Sequence, residues 1–105
     1  MAIDAVLAQT ADATVLQDLY TVPVGKRTAL YVVATNRTST PVAYRISFAI
    51  GGAVDDPKQY TVYDSTVSTI PQATRRVAFP AGTVVRVFAA TADVTFCVNG
   101  IEQDV

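Results

Sequence analysis

Residue types that carry out most enzyme chemistry are scarce in this sequence. Its 105 residues include no histidine and a single cysteine, Cys97. Histidine is the commonest metal ligand and the usual proton-transfer group near neutral pH, so Ser-His-Asp and Cys-His arrangements are excluded. Cys97 lies in the apolar run Val94 to Val98, where a small structural side chain is the expected role. We therefore predict that the chain is not an enzyme and needs no cofactor.

The nine acidic residues lie mostly at predicted turns or near the two ends of the sequence. A glycoside hydrolase needs two carboxylates that face each other across a cleft, and no such pair is indicated. Asp55, Asp56 and Asp64 could supply oxygen ligands to calcium, but the D-x-D-x-D-G spacing of a calcium loop is missing. A solvated loop accounts for these acids, so we predict no metal site.

The basic residues do not indicate a nucleic-acid or membrane partner. Eight basic and nine acidic side chains give a net charge of −1, which provides no electrostatic attraction to phosphates or anionic lipids. Neighbouring residues of a strand point to opposite faces, so the pairs Lys26-Arg27 and Arg75-Arg76 need not form a patch. We expect these side chains to be solvated or at the rim of a protein interface.

Tyrosines leave open an alternative role in carbohydrate binding. Aromatic rings exposed on loops or on a sheet face could stack on sugars, although the chain has no tryptophan. The five tyrosines are Tyr20, Tyr31, Tyr44, Tyr60 and Tyr63.

The composition favours a protein that is partly covered by other protein. Apolar residues make up 50% of the chain and charged residues only 16%, against roughly 25% charged in a typical soluble domain. Large exposed apolar areas tend to be interaction sites. No segment approaches the roughly 20 apolar residues of a membrane span, and Asp4 stands where a signal peptide has basic residues. We expect neither membrane insertion nor export by that route, and one cysteine fits a reducing compartment.

Hydrophobic patterning predicts β-strands separated by Pro, Gly and Asx turns. Thr28 to Thr35 is apolar at both odd and even positions, which predicts a strand that is covered on both faces. Val42 to Ile50 alternates between apolar and polar residues, as a half-buried strand does. The turns Pro23-Val24-Gly25 and Pro80-Ala81-Gly82 share one chemistry, which we attribute to repeated turn use rather than to duplication.

These strands predict an all-β fold, an antiparallel β-sandwich of jelly-roll or Ig-like type with seven to eight strands. At this length, residues 1–105 should form a single domain. We interpret residues 1–13 as a short N-terminal arm, extended or briefly helical, that packs on a neighbouring subunit. The alternative is a first edge strand on its own sandwich.

Three segments resemble a known group of proteins: LYTVPVGKRTALYVVATNR, YRISFAIGGAVDDPKQYTVYD and AGTVVRVFAATADVTFCVNGIE. Together they are similar to small virion structural proteins of tailed bacteriophages and prophages. Those proteins often read L-Y-x-V-P-x-G, then N-R after a buried strand, then A-G-D-x-V-R-V-[FY]-A-[AS]-T. The likeness extends from Leu19 to Glu102, with Thr83 in place of the Asp of that last pattern.

The resemblance implies a non-enzymatic β-sandwich subunit repeated on a phage particle, as a head decoration (cement) protein or a neck, collar, tail or fibre-attachment component. Expected partners are copies of the same chain, with a trimer favoured, and major capsid, neck or tail proteins. The expected location is the virion, after synthesis in the bacterial cytoplasm. We predict assembly contacts at Ile3, Val6, Leu7, Lys26, Arg27, Arg37, Arg75 and Arg76.

Overall fold

A computed structural model describes residues 5–10, 14–52, 59–68 and 70–105, with the backbone alone described for Ala5, Gly52 and residues 59–65. Nine strands are present in these ranges, with a single 3-10 turn at Ile50–Gly52. The strands are β1 (Ala5–Thr10), β2 (Gln17–Thr21), β3 (Lys26–Asn36), β4 (Val42–Ala49), β5 (Gln59–Val67), β6 (Gln72–Ala73), β7 (Val77–Phe79), β8 (Val84–Ala89) and β9 (Val94–Asp104).

Two antiparallel sheets pack against each other and form a β-sandwich, which confirms the predicted fold class. The first sheet has the order β1-β9-β3-β6, and β7 pairs with the same side of β3 as β6. The second sheet has the order β2-β8-β4-β5. Nine strands are described rather than seven or eight because residues 72–79 contribute two short strands with a break between them.

Strand β3 forms the centre of the first sheet, and its alternate residues point into the sandwich. Leu30, Val32 and Ala34 are fully buried and face the second sheet. The apolar residues between them are only half-buried. Within the described part of the chain the inner face of this strand is covered and its outer face is only partly covered. Its outer side chains have no second layer there.

The core lies between the two sheets and is built from β-branched and aromatic residues. Phe48 and Phe79 stack with ring centroids 4.7 Å apart, and Tyr44 contacts Phe96 with centroids 6.2 Å apart. The remaining core residues include Val22, Leu30, Val32, Ala34, Val42, Ile46, Val67, Val85, Val87, Ala89, Val94 and Val98. Burial of this apolar surface is the main force that holds the sheets together.

The first described residues form an edge strand instead of a free arm. Strand β1 pairs antiparallel with β9, in register from Ala5↔Gly100 to Thr10↔Phe96, with a bulge between Val6 and Ala8. Leu7 packs against the core, whereas Val6 is 61% exposed. Over Ala5–Thr10 the arm interpretation is therefore replaced by its alternative, because β1 pairs with β9 and the half-buried Leu7 packs against the core of the same sandwich. Ile3 lies outside the described residues.

The two Pro-x-Gly turns lie side by side at one end of the sandwich. Backbone hydrogen bonds join them, from Val22 N to Thr83 O (2.9 Å) and from Gly82 N to Val22 O (3.0 Å). Gly25 and Gly82 adopt positive φ angles of 79° and 87°, a conformation that glycine adopts without steric cost. The repeated motif thus builds one structure, a paired-turn tip made of residues 22–25 and 80–83.

Candidate assembly surface

The outer face of the first sheet has a region without charged side chains, next to the exposed Arg27 at one end of β3. We call it the open face and define it by the outward side chains of three adjacent strands. Cross-strand partners alternate between faces, so residues opposite each other share a face. The open face consists of Val6 and Gln9 on β1, Thr95, Cys97, Asn99 and Ile101 on β9, and Ala29, Tyr31, Val33 and Thr35 on β3. None of these ten side chains carries a charge at neutral pH.

Four residues form the centre of the open face. Val33 lies directly opposite Cys97, and Tyr31 lies opposite Asn99. The Asn99 amide donates a hydrogen bond to the Cys97 carbonyl oxygen (3.3 Å), and the Cys97 thiol donates one to Asn99 Oδ1 (3.6 Å). The polar side-chain groups of Cys97 and Asn99 are therefore hydrogen-bonded within β9.

Arg76 reaches this face from the break between β6 and β7. Its guanidinium carbon lies 5.2 Å from the centroid of the Tyr31 ring, within the range of a cation–π interaction. The break is held in place by Thr74, whose hydroxyl accepts a hydrogen bond from Val32 N (2.9 Å). Thr74 N in turn donates to Val32 O (2.9 Å). The buried Thr74 thus positions the exposed Arg75 and Arg76 at the border of the face.

The other predicted contact residues are distributed around the sandwich. Arg27 is exposed at one end of the open face, next to Lys26 on β3. Lys26 makes an ion pair with Asp104, which raises the pKa of Lys26 and lowers the pKa of Asp104. Arg37 lies at the opposite end, where its guanidinium donates a hydrogen bond to the Ala92 carbonyl oxygen. Of the predicted contacts, Val6 lies on the open face, Arg27, Arg75 and Arg76 lie at its borders, and Leu7 points toward the core.

Sequence reasoning missed the central residues Tyr31, Val33, Cys97 and Asn99 as contact residues. The sequence does contain a pattern that indicates them, because the strand from Thr28 to Thr35 is also apolar at its outward positions. We predicted that both faces of this strand are covered, whereas its outward side chains are only half-buried by the described residues.

A shallow groove lies on the outer face of the second sheet. It has a volume of about 530 Å³, and its lining includes Val15, Leu16, Ala43 and Phe88 with Arg45. Val15 and Leu16 are exposed and lead into β2. Thr14 and Tyr44 complete the lining of the groove.

A second exposed apolar feature is the paired-turn tip, where Val24 is 96% exposed. The tip lies at the end of the sandwich where β2 and β9 finish, and the groove lies where β2 begins.

The described tyrosines do not form a sugar-stacking platform. Tyr44 is buried in the core, and Tyr20 points between the sheets and packs against that core. The ring of Tyr31 has the Arg76 guanidinium over it. The side chains of Tyr60 and Tyr63 lie outside the described part of the chain.

Among the described residues, no group of three His, Cys, Asp or Glu side chains is arranged to hold a metal ion. Asp55 and Asp56, which the sequence placed in a surface loop, lie outside the described residues, and only the backbone of Asp64 is described. The described residues also contain no helix long and apolar enough to cross a lipid bilayer.

The fold is an antiparallel β-sandwich of two packed sheets. No protein-family model matches the chain, and no curated protein or solved structure is significantly similar to it.

Proposed function

We propose that this chain is a non-enzymatic structural subunit of a tailed-bacteriophage virion, which associates with copies of itself and with capsid, neck or tail proteins. The observation that supports this proposal best is the open face. A sandwich of 105 residues that leaves ten outward positions of three strands uncharged has a surface suited to protein contact. The sequence resemblance from Leu19 to Glu102 supports a tailed-bacteriophage virion as the particle to which such a subunit would belong.

The energetics of a repeated subunit fit this surface. Apolar burial contributes roughly 25 cal/mol per Å² before the cost of association is subtracted. Contact between apolar surfaces therefore has a driving force that requires no ligand or metal. Many weak contacts on one particle act together, because each bound copy raises the effective concentration of the next. A small domain with a modest interface can therefore stabilise or extend a large particle.

Labelling of virions tests this proposal directly. Antibodies raised against the purified chain should label purified particles at regular positions in electron microscopy. Mass spectrometry of the same particles should detect the chain at many copies per virion. The purified protein should also bind to particles from which it has been stripped. Absence from virions, together with failure to bind stripped particles, would contradict the proposal.

A glycan array separates this function from the carbohydrate-binding alternative. A subunit that acts through protein contacts should show no saturable binding to any glycan. Saturable binding that is lost on substitution of a tyrosine would favour the alternative.

A further inference from the structure

Asn99 and Gly100 form the only Asn-Gly pair in the sequence, and the chain has one other asparagine, Asn36, which precedes Arg37. In such a pair the backbone nitrogen of glycine can attack the side-chain carbonyl carbon of asparagine, because glycine has no Cβ to hinder the approach. The bond from Gly100 N to Asn99 Cγ forms, the Cγ–Nδ2 bond breaks, and the amide nitrogen leaves as ammonia with the backbone proton. Water then opens the cyclic imide to aspartate or isoaspartate.

The packing of β9 requires glycine at position 100. Gly100 pairs with Ala5 on β1 and with Leu30 on β3. A Cβ at this position would overlap the Ala29 carbonyl oxygen and lie 2.8 Å from Leu30 Cα. A side chain that would slow the attack therefore has no room. The fold retains a reactive dipeptide at the middle of its central pairing.

The extended backbone of β9 opposes the reaction. Closure of the imide ring brings Gly100 N to bonding distance from Asn99 Cγ, and the ψ angle of Asn99 must leave the extended region for this to happen. Asn99 pairs with Val6 on one side and with Tyr31 on the other. The required rotation therefore separates β9 from both of its neighbours.

The side chain of Asn99 is also directed away from Gly100. Its Nδ2 donates to the Cys97 carbonyl oxygen at 3.3 Å, and its Oδ1 accepts from the Cys97 thiol at 3.6 Å. Both contacts are with the residue two positions before Asn99, whereas the attacking nitrogen belongs to the residue after it. Backbone and side chain thus both hold the reacting atoms apart.

We infer that Asn99 is a site of spontaneous deamidation, protected in the folded sandwich and reactive only when β9 opens from β1 and β3. The rate of conversion then follows the population of opened chains. This chemistry belongs to the chain itself and holds whether or not the chain is a virion subunit.

The two products have different consequences for the fold. Aspartate at position 99 leaves the main chain unchanged. Isoaspartate carries the main chain through Cγ and adds one carbon atom to it, so residues 100–104 lose their register with β1 and β3. Those residues include Glu102, whose carboxylate accepts a hydrogen bond from Tyr20. A chain that forms isoaspartate while open therefore does not regain the full pairing of β9.

Mass spectrometry over a urea series tests the protection. The full chain is incubated in mildly alkaline buffer at urea concentrations that span its unfolding transition, which circular dichroism follows in parallel. Peptide mass spectrometry gives the conversion of each asparagine. Asn99 should convert at least about tenfold faster in unfolded than in native protein, and its rate should rise with the unfolded fraction. A rate that stays constant across the transition would overturn the inference.

The chain offers matched controls for the chemistry. In high urea, Asn36 should convert at least about tenfold more slowly than Asn99, because the Arg37 side chain hinders the attack. Gly100→Ala is compared in the same high urea, where its effect on folding no longer matters, and it should slow the conversion of Asn99 several-fold. Equal rates for the two asparagines, or no slowing in Gly100→Ala, would show that the Asn-Gly pair is not the reactive site.

The products are tested after return to native buffer. Methylation by protein isoaspartate methyltransferase identifies the isoaspartate form, which should unfold at a lower urea concentration than Asn99→Asp. That variant carries the same new charge without the lengthened main chain. Equal unfolding midpoints for the two forms would overturn the predicted loss of β9 pairing.

Discussion

The hydroxyl of Tyr20, on the second sheet, donates a hydrogen bond to the carboxylate of Glu102 on the first. Thr28 Oγ1 lies 3.1 Å from the same hydroxyl. Glu102 and Thr28 are direct cross-strand partners on β9 and β3, so one side chain of β2 is fixed to two strands of the opposite sheet. This contact closes one side of the sandwich with polar groups where the apolar core ends.

The Tyr20 contact predicts a loss of stability at alkaline pH. Burial, followed by the hydrogen bond to Glu102, raises the pKa of Tyr20 to about 12 from its ordinary value of 10.0. Because the folded-state pKa is the higher one, the stabilising contribution is complete below pH 10 and is lost as pH rises to about 12. The free energy of unfolding, measured by urea denaturation, should fall over this range.

Tyr20→Phe should make that alkaline decline shallower, because the variant has no hydroxyl to ionise at this position. At neutral pH it should cost about 0.5–1.5 kcal/mol for the lost hydrogen bond. Tyr31→Phe, on the open face, is the matched control and should retain the wild-type slope. An unchanged slope in Tyr20→Phe would contradict the prediction.

A second link between the sheets is the buried side chain of Asn36. Its amide nitrogen donates to Thr40 O (2.7 Å) and Val67 O (3.0 Å), and its oxygen accepts from Thr38 N and Thr38 Oγ1, both at 2.9 Å. Asn36→Asp would place a carboxylate against two carbonyl oxygens. We expect it to reduce the free energy of unfolding by about 2–4 kcal/mol, measured by urea denaturation.

Asn99→Asp is the control for Asn36→Asp. It tests whether the loss of stability comes from the buried position of Asn36 or from the change of Asn to Asp itself. Asn99 is half-buried on the open face, where water can solvate the new charge. Its cost should stay below about 1 kcal/mol in a dilute monomeric sample. Equal costs at both positions would contradict the role assigned to Asn36.

The fold class was predictable from the sequence, but the links between sheets were not. The alternation of Val42, Tyr44, Ile46 and Phe48 gave strand β4 and its inward face directly, because period-two burial has a local signature. Tyr20 and Glu102 are 82 positions apart, and neither residue has a local pattern that indicates the other. Pairing at such separations is determined by the whole fold.

The candidate surface was predictable only in part, for a different physical reason. Apolar residues at both odd and even positions of β3 indicate that both faces avoid water, but not whether the cover comes from the same chain. Val6 and Arg76 were among the predicted contact residues, whereas Val33 was predicted only as part of a strand covered on both faces and Cys97 as a small structural side chain. The arm was misassigned because Leu7 has the spacing of a helix and becomes buried only through the pairing of β1 with β9.

Gly100, on β9, should be less tolerant of substitution than Gly25, Gly51 or Gly82. A Cβ at this position would lie 2.1 Å from the Ala29 carbonyl oxygen and 2.8 Å from Leu30 Cα, both on β3. These are backbone atoms of the neighbouring strand, so they cannot move without separation of β3 from β9. Gly100→Ala should cost about 3 kcal/mol or more in unfolding free energy, measured by denaturation.

Gly82→Ala provides the comparison for Gly100→Ala. At Gly82 a Cβ would meet nothing within 4 Å, and only its positive φ of 87° is unfavourable. The cost should therefore be about 1–2 kcal/mol. A cost at Gly82 equal to or greater than that at Gly100 would show that β3 and β9 accommodate the methyl group.

Ser47 should be a site where removal of a polar group does not destabilise the protein. Its hydroxyl is buried and has no hydrogen-bond partner among the described residues. A buried hydroxyl without a partner has lost its hydrogen bonds to water and forms none within the protein, so its burial costs free energy. Ser47→Ala should leave the free energy of unfolding unchanged or raise it by up to about 1 kcal/mol.

Thr74→Val is the opposite case, because the substitution keeps the shape and removes a hydroxyl that is fully used. Thr74 Oγ1 accepts from Val32 N at 2.9 Å and donates to Arg75 O at 3.2 Å, so its loss leaves a buried backbone donor unpaired. We expect a cost of about 1–3 kcal/mol by urea denaturation. Similar effects of the two substitutions would contradict the assignment of hydrogen bonds at both sites.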